Sequence, residues 1–418
     1  MEKVKLKNGV DLYYNKSDKF KTWSAGIYIY RPLNNKEASN NALLAKVLQS
    51  ATEEYPSRAK MARRLETLYG AFLIAGARKY ADTHMLVINI KAVSDRFLPK
   101  EISGDVLGFV KKVLLSPYVT DGAFDEKTVE LEKENLKKQI EAYINDKTSY
   151  ADKRCTEIMC EGDNYAADVN GSIEEIEKIT PQSLYRHYVD LLEDSKIDIF
   201  LSGEANFELA KEMFSDVQSK NDVPKTEAFK GNAKIKEVTE KMDVTQGKLV
   251  MGFTLPKCSN ADRCTAMVFN AVFGGSAVSK LFNNVREKLS LAYYANSVLY
   301  FSKGIMTARS GIEPDKFSQV KDEILKQLDD IKNNNITDNE MDNAISHLVN
   351  IYSSLEDSPE TTVSLLTGWI VEGEKRMPEQ IVKDIKKVTK EQVVNFAKGV
   401  KLDTVYFLTA SDKEGAAV

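Results

Sequence analysis

The clearest pattern of apolar and polar positions in the chain spans residues 273–301. Its first part repeats apolar residues at the spacing of one helix face, namely Leu281, Phe282, Val285 and Leu289. Its second part, residues 292–301, is rich in aromatic and β-branched residues and predicts a strand. Gly274-Gly275 precedes both parts. Because glycine enters positive φ freely, we expect a turn there, with Ser276 as the N-cap of the helix.

The same kind of pattern predicts elements elsewhere. Residues 23–30 alternate and predict a central strand, and residues 42–48 are almost wholly apolar and predict a buried helix after a polar loop at 34–41. Asn8-Gly9, between two alternating stretches, predicts a hairpin turn. Further helices are predicted at 57–68, 98–115, 125–145, 151–161 and 181–192, and further strands at 72–90 and 197–202.

The order of these elements repeats. Residues 176–203 (an Ile-Glu-Lys-Ile-Thr segment, a helix and an apolar strand) have a counterpart at 385–410, an offset of about 210 residues. A weaker echo relates Asp146 to Asp357. The repeat predicts two homologous α+β domains, each a mostly antiparallel sheet covered by helices. We place the first domain at 1–218, a linker at 219–232 and the second domain at 233–418.

Composition narrows the classes of function. The chain has 418 residues and a net charge of −4 with both signs interspersed, which gives no reason to expect nucleic acid or a membrane as partner. We find no transmembrane stretch and no signal peptide. The four cysteines fit no zinc or redox spacing, and reduced thiols suit a cytoplasmic location.

The segment 273–294 resembles the second-domain signature of the pitrilysin, insulinase and mitochondrial processing peptidase superfamily of zinc peptidases. The likeness rests on Gly274, Gly275, the helix pattern, and Arg286 followed by Tyr293 in a Leu-Ala-Tyr motif. The resemblance implies one half of a clamshell, in which Arg286 and Tyr293 bind the substrate carbonyl and its developing oxyanion. Without the resemblance, Arg286 would be interpreted as an ordinary solvated arginine.

Active members of that superfamily carry His-x-x-Glu-His on a buried helix of the first domain, with a later glutamate as the third zinc ligand. Aligned on this chain, the motif falls on residues 42–46, where Ala42, Ala45 and Lys46 replace both histidines and the catalytic glutamate. Glu134 is the best match to the third ligand, with Glu132 as the alternative. A single carboxylate binds zinc poorly, so we expect neither bound metal nor peptidase activity from this chain alone.

Two further interpretations stay open. Lys46 either snorkels to the edge of a cavity or pairs with Glu134. An unrelated metal site could be formed by Cys155, Cys160 and His187, although buried inert thiols are the more common case.

Two functions follow from the resemblance. In the first, the chain is the non-catalytic subunit of a bacterial two-subunit zinc metallopeptidase. A homologous partner then holds the zinc, and Arg286 and Tyr293 act in trans on short or unfolded peptides. In the second, the chain is an inactive scaffold or peptide-binding module, including a self-associating one. The altered segment 73–77, which replaces a substrate-binding motif of the superfamily, favours the second.

Overall fold

A computed structural model describes residues 2–6, 9–354, 359–373, 376 and 378–411. The chain forms two compact units. Unit 1 comprises Met1–Ala142, Ala167–Lys225 and Glu356–Glu374, and unit 2 comprises Tyr143–Ala166, Thr226–Leu355 and Lys375–Val418. Among the described residues, no helix combines the length and apolarity needed to cross a bilayer.

Unit 1 is built on a six-stranded sheet in the order β1-β2-β8-β3-β5-β4. Only the β2–β8 pair is parallel. The strands are β1 (Glu2–Lys5), β2 (Asp11–Lys16), β3 (Thr22–Pro32), β4 (Phe72–Tyr80), β5 (Thr83–Val93) and β8 (Lys196–Gly203), and a separate short pair is β6 (Val119–Thr120) with β7 (Ala123–Phe124). The predicted central strand is confirmed as β3, whose residues 23–30 are all buried.

The helices of unit 1 differ in how much they bury, and the first of them is buried on nearly all sides. They are α1 (Asn35–Ser50), α2 (Arg58–Thr67), α3 (Ser103–Leu115), α4 (Glu126–Tyr143), α6 (Ile173–Lys178), α7 (Pro181–Glu193), α8 (Phe207–Met213) and α12 (Pro359–Glu372). The polar loop predicted at 34–41 is wrong. Asn34 caps the helix, since its side chain accepts a hydrogen bond from the Glu37 N–H, and α1 therefore starts at Asn35.

Unit 2 is built on a five-stranded sheet in the order β11-β12-β10-β13-β9. Only the β13–β9 pair is parallel. The strands are β9 (Lys236–Met242), β10 (Gly247–Thr254), β11 (Ala292–Tyr300), β12 (Ile305–Ile312) and β13 (Lys401–Ala410). The helices are α5 (Lys147–Met159), α9 (Arg263–Phe273), α10 (Phe317–Lys332), α11 (Asp338–Ser354), α13 (Pro378–Ile385) and α14 (Lys390–Lys398), with a π-helix at Leu281–Lys288.

The two sheets have the same topology. The order β2-β8-β3-β5-β4 corresponds strand by strand to β9-β13-β10-β12-β11, with one parallel pair followed by three antiparallel pairs in each. The prediction of two α+β halves with repeated element order is therefore confirmed. The strands of the predicted first hairpin do pair, whereas Asn8 of its turn and Asp357 of the repeat lie outside the described residues.

Each unit includes one helix from the other half of the sequence. Helix α5 packs on β10 and β13, where Ala151 and Cys155 join a buried cluster with Val250 and Tyr406. Helix α12 packs on β8 of unit 1. The compact units are thus discontinuous in sequence. Predicted limits of the form 1–218, 219–232 and 233–418 cannot describe units that draw segments from both halves of the sequence. As domain boundaries they stay a prediction.

Candidate functional site

The Gly274-Gly275 turn ends α9. The N–H groups of both glycines donate to the Asn270 carbonyl, at 2.9 and 2.6 Å. Gly274 has φ −154°, so the expectation of positive φ is wrong there. Glycine is needed for a different reason: a Cβ on Gly274 would lie 2.6 Å from Ser297 Oγ, and one on Gly275 would lie 2.4 Å from Asn270 Nδ2.

The predicted helix after this turn is a π-helix at Leu281–Lys288, closed by a hydrogen bond from the Leu289 N–H to the Asn284 carbonyl at 3.2 Å. The predicted N-cap is wrong, because the helix begins only at Leu281, and the Ser279 hydroxyl accepts the hydrogen bond from the Phe282 N–H at 3.3 Å. π-Helical segments are rare and occur often at functional sites. This one carries Arg286.

Arg286 is held at the surface of unit 2. Its guanidinium lies 4.7 Å from the centre of the Phe282 ring, and its Nε lies 3.5 Å from Glu287 Oε1. The side chain is 42% exposed. In the described part of the chain, Glu287 is the one carboxylate within ion-pair distance, and its own side chain is 56% exposed. The contact is therefore weak, and Arg286 keeps donors for a ligand.

Tyr293 occupies a β-bulge at the start of β11. Ala292 pairs with Ile312 and Tyr294 with Gly311, so Tyr293 is the extra residue. Its ring is 59% exposed, and its hydroxyl donates to Glu313 Oε1 at 3.4 Å. The next residue, Tyr294, is more enclosed, and burial raises the pKa of its hydroxyl.

An open pocket of about 440 Å³ lies between the glycine turn, the π-helix and β11. Its lining comprises Gly274, Gly275, Ser276, Ala277, Phe282, Arg286, Tyr294, Ala295, Asn296, Ser297, Val298, Arg309 and His347. The structure thus brings together three of the four residues assigned to this site, and Tyr294 rather than Tyr293 lines the pocket. Sequence reasoning missed Arg309, which lies opposite Asn296 in the sheet and pairs with Asp152 at 2.6 Å.

In unit 1, helix α1 carries the positions aligned with the zinc motif. Ala42 and Ala45 are 2% and 0% exposed and pack in the apolar core. Lys46 lines a second pocket, of about 260 Å³, which we call the Lys46 pocket. Its other lining residues are Gln49, Ser50, Arg58, Met61, Ala62, Leu65, Leu73 and Glu132.

Glu132, not Glu134, reaches this pocket. The Glu132 side chain is 1% exposed and accepts hydrogen bonds from Ser50 at 2.7 Å, Asn135 at 3.1 Å and Arg58. Glu134 is exposed, and Lys137, 2.6 Å away, holds the pKa of its carboxyl below its ordinary value. The pairing of Lys46 with Glu134 is therefore wrong, since Glu134 has another partner.

These residues do not fit a zinc ion. Two alanines supply no ligand, and the Glu132 carboxylate is already bound by three donors. Across the described residues, no group of three or more His, Cys, Asp or Glu side chains could hold a metal. Two members of the alternative metal site drawn from Cys155, Cys160 and His187 make other hydrogen bonds. His187 Nε2 donates to Asn41 Oδ1 at 2.7 Å, and Cys155 Sγ donates to the Val250 carbonyl at 3.7 Å.

Comparison with known proteins places the chain in a family. The "Probable inactive metalloprotease YmfF" of Bacillus subtilis is 30% identical over 420 residues, covering 98% of this chain and 97% of that protein. The chain belongs to the peptidase M16 family. The family model described as "Peptidase M16 inactive domain" matches residues 178–348. The superfamily resemblance predicted from Gly274, Gly275, Arg286 and Tyr293 is thereby confirmed.

Solved structures share the fold of this chain. A conserved protein from Enterococcus faecalis V583 superposes with a TM-score of 0.90 at 26% identity, over 99% of each chain. The peptidase M16 inactive domain from Pseudomonas fluorescens superposes with a TM-score of 0.81 at 16% identity, over 99% of each chain, and shows the shared fold. This chain is therefore an inactive M16-family metalloprotease homologue. That Ala42, Ala45 and Lys46 occupy its zinc-motif positions stays a prediction.

Proposed function

We propose that this chain is the non-catalytic subunit of a two-subunit M16 metallopeptidase that acts on short or unfolded peptides. A homologous subunit supplies the zinc, and unit 2 of this chain binds the substrate. The observation that carries the proposal is the asymmetry between the units. In unit 1, Ala42 and Lys46 occupy the positions aligned with the two zinc-binding histidines, whereas unit 2 retains an arginine in an open pocket with only a weak ion pair.

Arg286 and Tyr293 have the chemistry required by this role. A guanidinium and a phenol both donate hydrogen bonds, and an oxygen that gains negative charge in the transition state accepts them more strongly than the ground-state carbonyl does. The zinc of the partner would activate the attacking water. Removing one such donor in well-studied enzymes lowers kcat by about 10²–10³.

The contacts of Arg286 support this assignment. Its guanidinium rests on the Phe282 ring at 4.7 Å, which restricts the side chain without using its hydrogen-bond donors. Tyr293 has a single 3.4 Å hydrogen bond to Glu313 and an exposed ring, so its hydroxyl can exchange that partner for a ligand at little cost.

The test is reconstitution with a relative from the same genome that carries His-x-x-Glu-His. We expect the chain alone to hold no stoichiometric zinc and to cleave no peptide, and the mixture to cleave peptides. Arg286→Ala should lower kcat of the mixture about 100-fold or more. The control is Lys288→Ala, an exposed lysine on the same π-helix, which should leave kcat unchanged. Equal activity of the Arg286→Ala and wild-type mixtures, at equal binding of the partner, would refute the proposal.

A second candidate is an inactive scaffold or peptide-binding module, including a homodimer. Large apolar side chains favour it: Phe72 and Ile74 are 63% and 49% exposed on the outer strand of the unit 1 sheet. Absence of Tyr293 from the lining of the pocket also favours it. Sedimentation of the isolated chain and of the mixture separates the two candidates. A stable homodimer that stays inactive with every zinc-bearing relative would support the scaffold. A cytoplasmic location remains an expectation for either candidate.

A further inference from the structure

The Lys46 pocket has the charge of an anion-binding site. Its buried carboxylate, Glu132, is compensated by the guanidinium of Arg58 and two neutral donors. Lys46, by contrast, has no ion pair or side-chain hydrogen bond within the described part of the chain. The pocket therefore carries one positive charge that its own residues do not balance, and such a charge attracts an anion.

The size and walls of the pocket limit what that anion can be. A volume of about 260 Å³ lies below the roughly 300–1,000 Å³ of pockets that enclose whole drug-sized ligands. The pocket therefore suits the end of a longer molecule. One wall is apolar, formed by Met61, Ala62, Leu65 and Leu73. The ligand should accordingly present a negative group next to a small or medium apolar group.

The neighbouring strand adds a site for a peptide backbone. β4 is the outer strand of its sheet, and Gln49 binds its free edge. The Gln49 side-chain amide donates to the Leu73 carbonyl at 3.1 Å and accepts from the Ala75 N–H at 3.0 Å. The carboxamide thus makes the two hydrogen bonds that the N–H and C=O groups of one residue in an added parallel strand would make. Exchange of Gln49 for a peptide replaces two hydrogen bonds with two, so its net cost is small.

We propose that unit 1 binds the C-terminal end of an extended peptide in the Lys46 pocket. The terminal carboxylate pairs with the Lys46 ammonium, and the last side chain contacts the apolar wall. The N–H and C=O groups of the preceding residue displace the Gln49 carboxamide from the Leu73 carbonyl and the Ala75 N–H. Lys46, at a position aligned with a zinc ligand, then serves as a carboxylate anchor. This proposal does not depend on a catalytic partner or on Arg286.

The test uses the full chain and a fluorescent peptide, N-terminally labelled Ser-Thr-Val-Thr-Ala-Leu, in fluorescence anisotropy. The free acid is compared with the same peptide carrying a C-terminal amide. Because a hydrogen bond to a charged group contributes about 1.5–3 kcal/mol, the amide should bind about 10–100-fold more weakly. This comparison needs no variant, so protein misfolding cannot produce the result.

Variants then assign the effect to residues. Lys46→Gln should weaken the acid to the level of the amide, while Lys46→Arg should retain discrimination between them. Gln49→Ala should tighten both peptides several-fold, because the competing carboxamide is removed. Lys137→Gln is the matched control, since Lys137 is a lysine of unit 1 that pairs with the exposed Glu134, and it should change nothing.

Three outcomes would overturn the proposal. The first is equal affinity of acid and amide for the wild-type chain. The second is undiminished discrimination in Lys46→Gln. The third is displacement of the peptide by inorganic phosphate at concentrations near the peptide Kd, which would indicate a simple anion site. None of these outcomes bears on the Arg286 experiment, so the two proposals can fail separately.

Discussion

Asn41→Ala should be among the most damaging single substitutions on α1. The Asn41 amide links the buried His84 to the half-buried His187: its Nδ2 donates to His84 Nδ1 at 2.9 Å, and its Oδ1 accepts from His187 Nε2 at 2.7 Å. His84 Nε2 donates in turn to the Val169 carbonyl at 2.9 Å. This chain of donors and acceptors fixes one tautomer for His84, with the proton on Nε2.

The magnitude follows from the groups left behind. Alanine at position 41 leaves one ring nitrogen of each histidine without its partner, and His84 is only 1% exposed. A buried polar group left unsatisfied costs about 1–3 kcal/mol, so Asn41→Ala should lower the free energy of unfolding by about 2–5 kcal/mol. That loss is a large part of the 5–15 kcal/mol typical of a folded domain.

The assay is urea denaturation followed by far-ultraviolet circular dichroism, with m-values compared between variants. The control is Asn40→Ala on the same helix. The Asn40 amide makes one exposed hydrogen bond to the Lys36 carbonyl at 3.0 Å, so this change should stay within about 0.5 kcal/mol. Equal unfolding free energies for the two variants would refute the argument that the histidine network stabilises unit 1.

Three other predictions follow. Burial lowers the pKa of both His84 and His187 below the ordinary value of about 6.5, so the unfolded chain takes up protons first as the pH falls. The contribution of these two histidines to the free energy of unfolding should therefore be constant above about pH 6.5 and fall below it. For two protons the slope is at most about 2.7 kcal/mol per pH unit, and urea titrations at several pH values measure it. Gly274→Ala should destabilise the protein by about 1–3 kcal/mol, because the new Cβ clashes with Ser297. The control is Gly76→Ala, whose Cβ has nothing within 4 Å and which should be neutral or slightly stabilising in thermal melts. Arg58→Ala should cost about 1.5–3 kcal/mol, because it removes the cation bound to a buried carboxylate, and an unchanged melting temperature would contradict this.

Periodicity predicted many of the elements because their apolar positions recur at the period of a helix or a strand, although β3 and α1 are buried on nearly all sides. The alternation at 23–30 and the apolar run at 42–48 both contribute to the apolar core of unit 1. The start of α1 was missed because its first turns are polar, and only the Asn34 cap marks the beginning of that helix.

The choice between Glu132 and Glu134 could have been made from the sequence. Val129 and Leu136 define the buried stripe of α4, and Glu132 lies three residues after the first and four before the second. Glu134 lies well off that stripe. Similarity to the superfamily motif favoured Glu134 as the match to the third zinc ligand, whereas the geometry of the helix favours Glu132.

The surroundings of Tyr293 could not be predicted in the same way. A bulge adds one residue to a strand and shifts every later residue to the other face. The register that makes Tyr293 the extra residue is set by pairing with β12, the next strand along the chain, and the sequence pattern does not show which residue of β11 is the extra one. The assignment of α5 and α12 to the opposite units likewise depends on long-range packing that no local period encodes.

The position of α12 in unit 1 has a consequence for synthesis of the protein. The last strand of the unit 1 sheet ends at Gly203, but the helix that packs on that strand ends only at Glu372. A ribosome adding roughly 5–20 residues per second needs about 8–35 s to make the intervening stretch of about 170 residues. During that interval all strands of the sheet have been synthesised, but the helix that packs on one of its faces has not. The nascent chain should then bind chaperones that recognise exposed apolar strands, and ribosome-bound chains stalled before α12 should be more protease-sensitive than chains stalled after it.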